Sequence, residues 1–261
     1  MILVFTKRKG ATREKQTDAL LYLDGVDKTF DGFKALNNLS FVLKPGEMRA
    51  IIGPNGAGKT TMMDVITGKT KPDTGDIIYQ GRYDLTQFDE TDVARMGIGR
   101  KFQKPSVFES QSVFDNLELA IKDDRDVFST LFASLNGEQK DRIDEVLEIT
   151  RLVDKIGANA SDLSHGQKQW LEIGMLLVQD PELLFLDEPV AGMTDAETDT
   201  TADLLREVAG KHSIVVVEHD MNFIKALDVK VTVLHEGRVL AEGSIAHVQA
   251  NEDVIDVYLG R

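Results

Sequence analysis

The chain has 261 residues, 42% of them apolar, enough for one large α/β domain or two small ones with a buried core. A formal net charge of −14 excludes a duplex nucleic-acid binder that works through a basic face, yet leaves room for a nucleotide held by a local phosphate site. The absence of cysteine excludes disulfides and thiolate metal centres, and no apolar run approaches the roughly 18 residues of a membrane-spanning helix.

Residues 1–19 carry Lys7, Arg8, Lys9, Arg13 and Lys15 without a sustained apolar period and read as an irregular basic tail. The short apolar stretch MILVF precedes the basic residues, the reverse of a secretory signal, so a soluble cytoplasmic protein is expected. From Leu20 the runs LLYLDGV, LSFVL and MRAII predict strands that lead into GPNGAGKT, Gly53 to Thr60. This fits the phosphate-loop pattern GxxxxGK[ST], and a helix over Lys59 to Thr67 should follow it. Gly53, Gly56 and Gly58 let the backbone approach phosphate oxygens. Lys59 can reach the β and γ phosphates as a point charge, and the Thr60 hydroxyl suits Mg²⁺. With Pro54, Asn55, Ala57 and Thr61, these residues are the candidate ATP contacts of the loop.

An extended piece at DIIYQG precedes a mostly helical stretch from about Lys104 to Asp162, with Val113 to Ala120 and Gln139 to Leu152 its clearest segments. Parallel-sheet character returns in LLFLD (183–187), SIVVVE (213–218) and VKVTVL (229–234), with helices over 165–179 and 196–209. Apolar runs this uninterrupted suit strands buried on both faces. A doubly wound α/β core interrupted by a helical insertion is predicted. LLFLD is followed by a second acid, and at the carboxyl end of a buried strand both side chains can reach a nucleotide crevice. Asp187 would hold Mg²⁺, and Glu188 would orient and partly deprotonate the attacking water. Charges at such a position are costly unless they have a function.

A phosphate loop alone also fits kinases and small GTPases. With LSHGQ (Leu163 to Gln167), FLDEP and EH in this order, the chain from about residue 20 onward resembles the ATP-binding-cassette ATPases, and no guanine-selecting NKxD motif is present. The resemblance implies a P-loop NTPase (RecA-like) core with an antiparallel β subdomain, residues 20–261 forming one domain with a helical subdomain at about 104–166. It also implies that Ser164, His165, Gly166 and Gln167 contact the ATP held by the opposite subunit, a role consistent with a helix N-terminus that favours anions. Gln103 in GRKFQKP resembles the glutamine that senses Mg²⁺ and the attacking water. His219 in VVVEHDM resembles the switch histidine at the γ-phosphate, and Phe30 in DKTFDG resembles the aromatic that stacks on adenine.

Departures narrow the group. His165 replaces a glycine, Trp170 stands where arginine is frequent, and AGMT places Thr194 where Asp or Asn is usual. The nonglycine at 165, the phrase LEIG and the ending VIDVYLG resemble the ATPases of branched-chain amino acid and urea or short-amide importers. LSHGQKQWLEIGMLL with DEPVAGMTDAET looks most like the urea-importing branch. Trp170 reads as a packing residue. His165 is open between a phosphate contact sensitive to pH and a position that tolerates several side chains.

The group implies permease partners docking near Lys104 to Ser112 at the inner face of the membrane. It also implies a second cassette ATPase, nonidentical in a heterodimer or identical in a homodimer, and indirectly a periplasmic solute-binding protein. Neither nucleic acid nor a metal beyond Mg²⁺ is expected. Export ATPases of the lipopolysaccharide type, and mechanical cassettes acting on ribosomes or DNA, are the alternative classes.

Overall fold

The computed structural model describes residues 18–101, 106–121 and 135–259. Gln103 and nearly all of the basic tail lie outside these described residues. In chain order the elements are β1 (Leu21–Phe30), β2 (Phe33–Leu43), β3 (Met48–Ile52), α1 (Lys59–Ile66), β4 (Thr74–Tyr79), β5 (Tyr83–Asp84), α2 (Glu90–Arg95) and β6 (Ile98–Lys101). There follow α3 (Val113–Ala120), α4 (Gly137–Ile149), α5 (His165–Leu177), β7 (Leu183–Asp187), α6 (Asp195–Val208), β8 (Ser213–Val217) and α7 (Met221–Leu227). The last are β9 (Lys230–His235), β10 (Arg238–Gly243), α8 (Ile245–Gln249) and α9 (Glu252–Leu259).

Two sheets form. The antiparallel one has the order β2-β1-β4-β5, and the larger one has the order β10-β9-β3-β8-β7-β6, parallel from β9 to β6 with β10 antiparallel at its edge. Period-two alternation sends the central strands into two different cores. Leu184, Leu186, Ile214 and Val216 pack with helices α3 to α6, whereas Leu183, Phe185, Val215 and Val217 pack with α1 and the antiparallel sheet. Every residue of β3, β7 and β8 is buried, which is why their sequences carry no polar face.

Helix starts are set locally. Ser112, Asn136, Ser164 and Thr194 each form a reciprocal capping box with Asp115, Gln139, Gln167 and Glu197, each cap contributing about 1 kcal/mol. The Asn136 cap explains why α4 starts at Gly137 rather than the expected Gln139, and it ends at Ile149, short of the expected Leu152, with Arg151 in the left-handed region at φ +60°. Strands β6 and β10 have no counterpart in the sequence reading. β6 is four residues long with Gly99, Arg100 and Lys101 among them, and such a strand carries too little apolar pattern to announce itself.

Candidate active site

Strand register decides which residues meet. Ile51 pairs with Val217, Val217 with Asp187, and Leu186 with Lys101, so the carboxyl ends of β3, β8, β7 and β6 lie side by side. The next residues in three of these strands are therefore delivered to one edge: the Gly53 loop, Glu218 and His219, and Glu188. Crevices at the carboxyl ends of parallel strands are the favoured ligand position in open α/β sheets.

The loop between β3 and α1 is fixed from outside. A Cβ on Gly58 would come within 2.6 Å of Ala35 O, and Gly58 sits at φ +100°, so only glycine fits there. Gly237 N–H donates to Ala57 O at 3.0 Å, tying the loop to the β9–β10 turn. No side chain caps α1, which leaves its first N–H groups directed at the site. The Lys59 ammonium donates to Gly53 O at 2.7 Å and to Pro54 O at 3.0 Å, bracing the loop from inside. Burial holds Lys59 below the usual lysine range, while the nearby Glu188 and Asp187 carboxylates pull it back up. That coupling brings three of the sequence-predicted residues into one electrostatic neighbourhood. Asn55, Gly56 and Thr60 are exposed at the loop surface, Pro54, Lys59 and Thr61 are half-buried, and Gly53, Ala57 and Gly58 are buried.

Asp187 is buried at the end of β7, and burial pushes its carboxyl above the usual range. Arg100 opposes that rise, Glu188 adds to it, and Lys101 and Lys59 oppose it. Glu188 follows with φ +49°, a left-handed conformation that costs a non-glycine residue about 1 kcal/mol. Its N–H donates to Val217 O at 2.8 Å, which locks the turn to β8. The carboxylate Oε1 lies 3.6 Å from His219 Nδ1, and the His219 ring is largely exposed.

Glu218 is a participant that the sequence reading passed over. It is 2% exposed, and its Oε2 accepts from the N–H groups of His219 at 2.7 Å and Asp220 at 3.2 Å. Its Oε1 accepts from Val190 N–H at 3.4 Å, two residues beyond Glu188. Glu218 thus fixes the backbone on both sides of the Glu188–His219 pair. The signal was available: SIVVVE ends a buried strand in an acid, just as LLFLDE does.

The signature segment is tied to α6. Ser164 caps α5, accepting from Gln167 N–H at 3.2 Å, and its hydroxyl donates to Glu197 Oε1 at 3.0 Å. A Cβ on Gly166 would fall 2.5 Å from the same Glu197 oxygen, so the glycine makes room for that carboxylate. His165 Nε2–H donates to Ala191 O at 3.0 Å, linking the signature to AGMT. Thr194 is the cap of α6, and its hydroxyl donates to Glu197 Oε2 at 3.0 Å. Trp170 is 8% exposed and its indole N–H donates to Thr201 Oγ1 at 2.9 Å, a packing residue with its polar atom satisfied. Among the described residues, the hydrogen bonds of Ser164 to Gln167 run to α5, α6 and Ala191, and none reaches the Gly53–Thr60 loop. Phe30 ends β1 opposite Phe33, 43% exposed, with Lys28 Nζ 5.3 Å from its ring centroid.

Thr60 and Asp187 supply a hydroxyl and a carboxylate oxygen, a hard donor set that fits Mg²⁺ with water and phosphate oxygens completing its shell. Among the described residues there is no cluster of three or more acidic or histidine ligands that would form an all-protein metal cage.

Comparison with known proteins gives a consistent result. A family model described as "ABC transporter" matches residues 36–191, and one described as "Branched-chain amino acid ATP-binding cassette transporter" matches residues 238–261. The chain is 36% identical over 250 residues to the high-affinity branched-chain amino acid transport ATP-binding protein LivG of Escherichia coli K12, covering 92% of this chain and 98% of the relative. It is 30% identical over 252 residues to the corresponding BraF protein of Pseudomonas aeruginosa, with the same coverage of 92% and 98%. A crystal structure of an ABC transporter cassette in its ADP conformation superposes with a TM-score of 0.81 at 29% identity, covering 94% of this chain and 100% of that one. A dimeric bacterial ABC transporter cassette superposes with a TM-score of 0.70 at 26% identity, covering 86% and 98%.

Proposed function

This chain belongs to the ABC transporter family of ATP-hydrolysing cassettes, and from that premise we propose that it powers the import of branched-chain amino acids as the ATPase subunit of a permease complex. The relatives aligned over nearly their whole length, together with the match of residues 238–261 to the branched-chain module, carry this reading of the solute. The solute would not touch this subunit, so relatedness is the only route to its identity. Urea or a short amide, expected from LSHGQKQWLEIGMLL and DEPVAGMTDAET, is the second reading, and the relatives weigh against its taking first place.

In the proposed mechanism, ATP is held by the loop N–H groups and the Lys59 ammonium, with Phe30 under the adenine. Thr60, Asp187 and Gln103 would hold Mg²⁺, and the chemistry it would supply is neutralisation of charge on the β and γ phosphates. Glu188 takes a proton from the attacking water, and its half-exposed carboxylate leaves that water a path in. His219, 3.6 Å from Glu188, faces the γ-phosphate and steadies the charge that develops there. The buried Glu218 keeps both residues in place through their backbone neighbours.

A second cassette would supply the signature that closes over this nucleotide, as Ser164 to Gln167 would close over the partner's. Two permeases would dock by the helical subdomain and a periplasmic binding protein would deliver solute to them. No helix among the described residues is long and apolar enough to cross a membrane, so attachment to the inner face would run through the permeases. The test is uptake of labelled leucine and labelled urea by cells expressing this chain with the permeases and binding protein encoded beside it. Leucine accumulation that is lost on Glu188→Gln supports the proposal, and uptake of urea without leucine replaces it by the second reading.

A further inference from the structure

Glu197 is the third residue of α6, and its carboxylate does two things at once. One oxygen, Oε2, accepts from the Thr194 N–H and from the Thr194 hydroxyl, each at 3.0 Å, which completes the cap of its own helix. The other, Oε1, is not needed for that cap. It accepts from the Ser164 hydroxyl at 3.0 Å and lies 2.5 Å from where a Cβ on Gly166 would stand. The side chains that hold the same place in the caps of α3, α4 and α5 show the difference: Asp115, Gln139 and Gln167 each return to the N–H of their own cap residue. Glu197 reaches back 33 positions to a different helix as well. The hydrogen bonds from Thr194 hold its carboxyl below the usual range against the opposing effect of burial, and Ser164 and the charge of His165 add to them. The oxygen over the signature is therefore anionic at neutral pH. Carboxylate and phosphate oxygens accept from the same donors, and a serine has one hydroxyl proton to give. In this chain Glu197 holds it.

We propose that Glu197 makes an autoinhibitory contact: its carboxylate occupies the signature in the place of the partner's γ-phosphate, and two cassettes close only when that phosphate displaces it. The proposal rests on the pairing of two cassettes put forward above, in which Ser164 to Gln167 serve the nucleotide on the partner. Without nucleotide, Glu197 keeps the Ser164 proton and covers Gly166 with negative charge. ATP on the partner brings a γ-phosphate with more charge than one carboxylate, and it takes the hydroxyl over. ADP lacks that phosphate and leaves the contact in place. Pairing is thereby tied to a loaded γ-phosphate on the opposite chain.

The test uses the full-length chain with Glu188→Gln as the parent, so that ATP stays bound, and adds Glu197→Gln or Ser164→Arg singly. Glutamine is a preferred residue at the third position of a capping box, so Glu197→Gln keeps an acceptor for Thr194 and removes the charge. Sedimentation over a series of protein concentrations, with ATP, with ADP and without nucleotide, reads the strength of pairing. With ATP, Glu197→Gln should pair at least about tenfold more tightly than its parent, because a hydrogen bond to a charged group no longer has to be broken at each signature. Its nucleotide affinity as an isolated chain should stay within about twofold, and its thermal midpoint should match that of the parent. A residue that only capped α6 would give equal or weaker pairing, and either result overturns the contact's inhibitory role. Ser164→Arg separates this from the reading beneath it. If Ser164→Arg pairs as its parent does, the signature does not close on the partner's phosphate and both ideas fall. If Ser164→Arg fails to pair while Glu197→Gln pairs no more tightly than the parent, the inhibitory role of Glu197 alone is overturned.

Discussion

Replacing Glu188 by glutamine removes one proton acceptor and changes almost nothing else. The side chain keeps its length, and glutamine tolerates the φ of +49° at about the same cost as glutamate. The hydrogen bond from the residue 188 N–H to Val217 O at 2.8 Å does not involve the side chain. Binding should therefore survive. Lys59 loses one of the two carboxylates that raise its proton affinity and keeps the other, Asp187, so it remains available to phosphate. Removing a negative charge beside a triphosphate can only favour the nucleotide. The chemical step is different, because a positioned general base is worth about 10²- to 10⁴-fold, or about 3 to 5 kcal/mol of barrier. Steady-state phosphate release should fall by at least about 10²-fold while nucleotide affinity, read with a fluorescent analogue, stays within about threefold. Lys59→Ala should by contrast lose affinity as well. A Glu188→Gln variant with turnover within a few-fold of the parent would refute the assignment of the base.

Ser164→Arg should leave ATP binding by the isolated chain intact and abolish the ATP-dependent dimer of the Glu188→Gln protein on size exclusion, because Ser164 contacts Glu197 and Gln167 rather than its own phosphate loop. The Thr194 hydroxyl donates to Glu197 within the chain, and the proposed pairing with a nonidentical mate would follow if this costs a cross-dimer hydrogen bond worth about 1 kcal/mol at each site. The mass of the complex co-expressed with its neighbours should show one copy of this chain and one second cassette; two copies of this chain would count against it. His212 is 2% exposed with Nδ1–H donating to Pro181 O at 2.6 Å, and burial holds its proton affinity below the ordinary histidine value. The unfolded chain then takes up the proton first as pH falls, so this contribution is whole above about pH 6.5 and is lost below it. Thermal midpoints between pH 7.5 and about 5.5 should fall less steeply for His212→Gln than for the parent.

The parts of the site that sit on strongly patterned elements were legible in the sequence. Gly53 to Thr60 follows the β-forming run MRAII, and Asp187 and Glu188 end the run LLFLDE, so pattern and punctuation located both. Their side-by-side placement required the register of β3, β8 and β7, which no local pattern encodes. Glu218 was marked only by the acid that ends SIVVVE, and that mark does not say that its carboxylate holds backbone N–H groups. Lys101 and Glu172 were hidden for a different reason: a lysine and a glutamate 71 positions apart look like surface charges until β6 and α5 are packed together. Thr194 shows the converse. It stands out in the sequence as a departure from the usual Asp or Asn, and in the fold it is the N-cap of α6. Of the antiparallel sheet, β1, β2 and β4 were visible as β-forming runs and the two-residue β5 was not, and the separation of this sheet from the parallel one is a matter of long-range pairing.

The assembled ATP site is the centre of this account, and a structure of the Glu188→Gln protein with ATP and Mg²⁺ tests it most directly. The account predicts a closed pair of cassettes in which the γ-phosphate lies within hydrogen-bonding reach of Lys59 and His219 of one chain and of Ser164 from the other. Nucleotide bound with its γ-phosphate remote from Lys59, or a closed pair with Ser164 facing solvent, would contradict it.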